Sequence, residues 1–222
     1  MLPHHSNKYH SDFLSPTPYN RLNPNPEEIV MQLAFSNQAL FSRFWSTTHP
    51  TLFRKFWLVL AGSLLLTLSS KMSIPLHPVP ITFQGVTVLF IGMTYGWRLG
   101  GATVMTYLIE GFCGLPVFAS PLAGAAMLLD PSVGYLFSFL PAAMLSGYLI
   151  ERGMGRSILT ATLAGIMGMT IIYLIGYSVL AFYVGPTSAF ILGVKPFVLL
   201  DLLKILLLAT TVPLFWRPIT KN

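Results

Sequence analysis

Six stretches of largely apolar residues, each near the length that crosses a bilayer, set the terms on which this chain can fold. About twenty residues in helical conformation span the hydrocarbon core, and shorter runs are tolerated. The pattern predicts helices at about 53–71, 82–97, 99–114, 132–151, 157–184 and 196–216. Charged types make up 9% of the 222 residues and hydrophobic types 54%, whereas a soluble domain carries about a quarter charged residues. So little charge would leave too much apolar surface in water, so the lipid bilayer is the natural solvent. The fold class that follows is all-α: an integral membrane bundle of six transmembrane helices.

The chain divides into residues 1–50, a polar tail, and 51–222, the membrane domain. Residues 1–26 are rich in Pro and Asn (Pro16, Pro18, Asn20, Asn23, Pro24, Asn25, Pro26). They lack the apolar run of a signal peptide, and their composition predicts disorder. His4, His5 and His10 sit in this tail, which makes a poor metal cage. Residues 26–45 read as a helix lying on the membrane surface. Asn25 caps it, Pro26 suits its first position, and Glu27 and Glu28 suit its first turn. Ile29, Val30, Leu33, Leu40, Phe41 and Phe44 then recur at helical spacing. Cys113 is the one cysteine and reads as a packing residue.

Lysines and arginines concentrate on the cytoplasmic side of membrane proteins. One side of the predicted bundle collects Lys8, Arg21, Arg43, Arg54, Lys55, Arg98, Arg152, Arg156, Arg217 and Lys221, and the other holds Lys71 and Lys195. Both termini are therefore expected in the cytoplasm. Loops 72–81, 115–131 and 185–195 then face outward. The first carries Pro75, Pro78 and Pro80, which stiffen it. The second, from Leu115 through Pro116, Val117, Phe118 and Ala119, is apolar without reading as helical. Irregular backbone near membrane depth is tolerated where protein buries it or where it lines a cavity. Both loops are expected to cover an outward-facing ligand pocket.

An ionisable side chain inside a span costs at least about 2.5 kcal/mol on insertion scales, so it marks function by default. Asp201 and Lys204 stand three residues apart on one face of the last helix. Glu110 lies in the outer part of the third. Gln84, Thr82, Tyr107 and Tyr135 fall at similar depth, and the inner halves carry no such cluster. Polar groups from the second, third, fourth and sixth helices thus converge on the outer side. This favours a pocket over a polar path across the membrane. The structural alternatives are an Asp201–Lys204 salt bridge that helps insertion, a Glu110 that bonds loop backbone or sits at the headgroups, and a Gln84 bond between helices. Lys71 is expected to snorkel to the outer interface. Gly92, Gly96 and Gly100, Ala143 and Gly147, and Ala164 and Gly168 are spaced for close helix packing.

No phosphate-cradling glycine loop with its Lys and Ser/Thr is present, and no His-Glu-x-x-His pair. The chain is read as neither an ATPase nor an enzyme, with no catalytic residues, cofactor or metal. The net charge of +6 forms no basic stripe, so nucleic acid is not expected as a partner.

Four segments, in order between residues 71 and 216, resemble the BioY family. Pro78-Val79-Pro80-Ile81-Thr82-Phe83-Gln84 is similar to the signature after that family's first helix. Tyr107-Leu108, Gly111 and Gly114-Leu115-Pro116-Val117-Phe118-Ala119 resemble its third-helix exit and loop. Asp130-Pro131-Ser132-Val133-Gly134-Tyr135 resembles its entry to helix four. Gly193-Val194-Lys195-Pro196-Phe197 with Asp201-Leu202-Leu203-Lys204 resembles its last helix. The resemblance implies the substrate-binding subunit of an energy-coupling-factor importer in the bacterial cytoplasmic membrane. The ligand it implies is biotin, held near the outer surface in a six-helix fold and capped by loops. The implied partners are a transmembrane coupling subunit and a pair of ATPase subunits. It places Asp201 and Lys204 in the binding region.

Biotin suits these residues. Asp201 can accept from a ureido N–H, and Gln84 can donate to the ureido carbonyl. Phe118, Phe83 and Tyr135 can cover the apolar part, and Lys204 can pair with Asp201 or with the ligand carboxylate. The chain departs from the family at Asp130, where Gly is usual, at Ser132, where Thr is usual, and at Glu110, where the family is usually apolar. The first helix lacks the Ala-x-x-x-Ala pattern by which related subunits dock, Ser63 and Thr67 being the nearest small pair. A subunit for another vitamin and a non-transport membrane scaffold are the alternatives.

Overall fold

The computed structural model describes residues 52–120, 122 and 124–216. The interfacial helix expected at 26–45 lies outside them. Among the described residues six α-helices follow one another: α1 (Leu52–Lys71), α2 (Gln84–Phe112), α3 (Val133–Leu149), α4 (Ile158–Val184), α5 (Pro186–Gly193) and α6 (Lys195–Trp216). Strands β1 (Ser73–Ile74) and β2 (Ile81–Thr82) pair antiparallel between α1 and α2, with Ser73 opposite Thr82. Among the described residues, α1, α4 and the run Val133–Met154 are long and apolar enough to cross a membrane.

α2 is not one rod. Gln84 and Tyr107 are 23 residues apart, and their side chains are hydrogen-bonded at 2.5 Å. On a straight helix they would stand about 34 Å apart. The chain reverses at Gly96, whose φ of 80° and ψ of 171° suit a residue without Cβ. The two arms, 84–95 and 97–112, are the second and third spans of the sequence pattern.

Small residues decide how these arms pack. A Cβ on Gly100 would stand 3.0 Å from the Gly92 Cα, so the arms touch backbone to backbone. A Cβ on Gly147 of α3 would lie 2.6 Å from both the Gly92 carbonyl oxygen and the Trp97 nitrogen, and one on Gly92 would overlap the Ala143 carbonyl. Gly168 of α4 admits Leu89. The spacings that read as packing motifs are thus the contact lines of α2, α3 and α4, as membrane helices require. Trp97 follows the break, so its N–H has lost its place in a continuous helical ladder. The Glu151 carboxylate, from the π-helical turn that extends α3 (Ile150–Met154), accepts it at 3.1 Å.

The expected helix bounds agree with the structure to within two residues. The third outer loop differs, because most of it is α5. Gly185, at φ 82°, ends α4, and Pro186 then starts a new helix at the position where proline is pre-organised. The contact surfaces are lined by Leu66, Val88, Leu89, Ala142, Ala143, Ala164 and Leu180, all fully buried. Leu64, Leu68, Leu174, Phe182, Leu199 and Leu207 are exposed instead. So much outward apolar surface is a burden in water and natural in lipid.

Candidate functional site

The end of the bundle remote from the Gly96 turn is built differently. There β2, the start of α2, the irregular segment after α2, the start of α3, the middle of α4 and the α5–α6 junction surround a cavity. The empty space between the lining side chains, open mouth included, is about 660 Å³. Apolar walls come from Val79, Phe118, Met127, Phe139, Met169 and Phe197. Polar groups come from Thr82, Gln84, Ser120, Ser132, Tyr135, Tyr173 and Asp201.

Asp201 is the anion of this wall. Lys204, one turn along α6, donates to its Oδ1 at 3.0 Å, and both side chains are mostly covered, with 15% and 14% exposed. The Tyr173 hydroxyl of α4 donates to Oδ2 at 2.6 Å, the length of a charge-assisted bond. Lys204 is not among the residues that line the cavity. Its Nζ donates to the Thr82 carbonyl at 2.9 Å and lies 5.0 Å above the Phe83 ring. It therefore ties α6 to the strand that leads into α2. The pairing of Lys204 with Asp201 is one of the two roles that the sequence leaves open for it. Phe83 is half exposed and does not line the cavity.

A second chain of bonds holds the irregular segment. Gln84 is buried and donates through Nε2 to the Tyr107 hydroxyl, which donates to the Val117 carbonyl at 3.1 Å. Ser70 donates to the same carbonyl at 2.7 Å, and Lys71 donates to the Phe118 carbonyl at 2.9 Å. Two consecutive carbonyls outside any helix thus take three side-chain donors. Unpaired, they would carry a desolvation penalty at this depth. Lys71 was expected only to snorkel; its ammonium also fastens this segment to the end of α1. Phe118 packs edge-on against Tyr107 and Phe112, both at 5.5 Å, and fills the space that a side chain on Gly111 would need.

Tyr135 is wedged between α4 and α5. Its ring lies where a Cβ on Gly176 would stand, and its hydroxyl donates to the Gly193 carbonyl at 2.8 Å. Asp130 does not line the cavity. It accepts from the Ser132 N–H at 2.8 Å, from the Ser132 hydroxyl at 2.7 Å and from the Ser120 hydroxyl at 3.1 Å. It thereby fixes the entry to α3.

The structure thus brings Thr82, Gln84, Phe118, Tyr135 and Asp201 around one cavity, with Tyr107 bonded to Gln84 and Lys204 to Asp201 and Thr82. Glu110 stands apart. It is not among the lining residues and accepts a hydrogen bond from Ser63 of α1. Tyr173, Ser120, Met169 and Phe197 were not singled out from the sequence. The sequence carries no distinguishing signal for Tyr173, because the same span also holds Tyr177 and Tyr183. No group of three or more potential metal ligands occurs among the described residues.

The sequence profile of the BioY family matches residues 38–221. The probable biotin transporter BioY of Pyrococcus horikoshii is 39% identical over 140 residues, covering 63% of this chain and 82% of that protein. The biotin transporter BioY of Thermotoga maritima is 39% identical over 146 residues, covering 65% and 85%. The crystal structure of the S-component for biotin from an ECF-type ABC transporter superposes with a TM-score of 0.68. It covers 78% of this chain and all of the other, at 22% identity, a likeness of fold.

Proposed function

The chain belongs to the BioY family, and on that footing we propose that its cavity binds biotin for import across the bacterial cytoplasmic membrane. It is a multi-pass membrane protein whose role is transport and not catalysis. The observation that carries the reading is the Asp201 carboxylate on the wall of a mostly apolar cavity. A cyclic urea offers N–H donors to such a group, and the aromatic wall suits the sulfur ring and alkyl chain. Gln84 keeps one amide N–H beyond its bond to Tyr107, enough to meet a ureido carbonyl.

The charge asymmetry supports an orientation with both termini in the cytoplasm and the cavity facing out. The chain then works as the substrate-specific subunit of an energy-coupling-factor importer, with a transmembrane coupling subunit and ATPase subunits as partners. The test is uptake of radiolabelled biotin by biotin-auxotrophic bacteria without their own importer. Cells expressing this chain with a coupling module should accumulate label, and Asp201→Asn cells should stay at background. Uptake equal to that of cells lacking the chain would refute the reading.

A further inference from the structure

Asp201 has two carboxylate oxygens, and the structure gives each a different partner. Oδ1 faces Lys204, which does not line the cavity and is itself anchored on the Thr82 carbonyl. Oδ2 faces Tyr173, which lies on the wall with Asp201. A phenol has one proton, and this one is committed to Oδ2. What the Tyr173 oxygen presents to the cavity is therefore acceptor capacity only. The carboxylate has about four lone-pair sites, two of which are occupied by these donors. Two acceptors, Oη of Tyr173 and Oδ2 of Asp201, thus lie 2.6 Å apart on two lining residues from two different helices.

We infer that Tyr173 is a specificity-determining residue, a second acceptor beside Asp201 that selects ligands with an N–H at this place and rejects those that lack it. The inference rests on the reading of the cavity as a biotin site. Its physical basis is the penalty for leaving buried polar groups unpaired. A ligand without the N–H strands an acceptor in a dry pocket, and discrimination then exceeds what apolar fit alone gives.

The test is equilibrium binding of biotin and of its two mono-N-methylated ureido derivatives to detergent-purified wild-type protein and Tyr173→Phe. Each methyl group removes one N–H. In the wild type both derivatives should bind more weakly than biotin. In Tyr173→Phe biotin affinity should fall about ten- to a hundredfold. One derivative should lose its handicap relative to biotin, because the acceptor that missed its N–H is gone. Tyr173→Met gives the same comparison should the phenylalanine variant not purify folded. Equal weakening of all three ligands would make Tyr173 purely structural and overturn the inference, as would unchanged biotin affinity. Failure of the wild type to bind biotin would sink the biotin reading itself, a result distinct from either.

Discussion

The two ends of this bundle handle polar groups away from water in opposite ways. At the Gly96 turn the helices meet through Gly92, Gly100, Ala143 and Gly147, with backbone against backbone. The exposed N–H of Trp97 is met at once by Glu151. At the other end the side chains are large and the backbone is irregular. The bonds there tie together the residues around an open cavity. A carboxylate near the membrane thus does different work according to what its neighbours leave open. Glu151 closes a structural gap, whereas Asp201 keeps acceptor capacity facing a cavity.

The sharpest way to break this contrast is Asp201→Asn. Biotin affinity should drop at least about a hundredfold, since a hydrogen bond to a charged group is lost from a buried site. The purified protein should stay monodisperse. A folding defect with unaltered affinity would instead make Asp201 as structural as Glu151. Next in size is Gly92→Ala. The added methyl meets the Ala143 carbonyl, and overpacking of this kind costs about 1–3 kcal/mol. The melting temperature in detergent should fall by several degrees, while biotin affinity of the folded protein stays within about threefold. A specific loss of binding would show that the packed end reaches the cavity.

Much of this contrast can be read from sequence, and the limits are instructive. Helix bounds follow from hydropathy, and the packed end from glycines four residues apart, because both are local patterns. Asp201 and Gln84 stand out because polar groups in apolar spans are rare. Tyr173 does not, since a tyrosine in a span reads equally well as core, and only the approach of α4 to α6 gives it Asp201 as a partner. Glu110 shares the depth of the cavity residues, yet depth does not say which face a residue takes. The reversal at Gly96 and the packing of α1 turn it to Ser63.

Smaller effects refine the comparison. Lys71→Met removes a donor from the Phe118 carbonyl but leaves Ser70 and Tyr107 on Val117. Biotin should dissociate roughly two- to fivefold faster, as expected when one exposed tether among several is lost. Stopped-flow release into excess unlabelled ligand reads this. Glu110→Gln should change affinity by less than about twofold. Tighter binding would mean that its charge faces the ligand carboxylate after all.

The most direct measurement is saturation binding of radiolabelled biotin to the detergent-purified chain, with thiamine and riboflavin as competitors. The account predicts one saturable class of sites displaced by unlabelled biotin and untouched by the other two vitamins. Folded protein that binds no biotin, or whose bound biotin is displaced by thiamine or riboflavin, would contradict it.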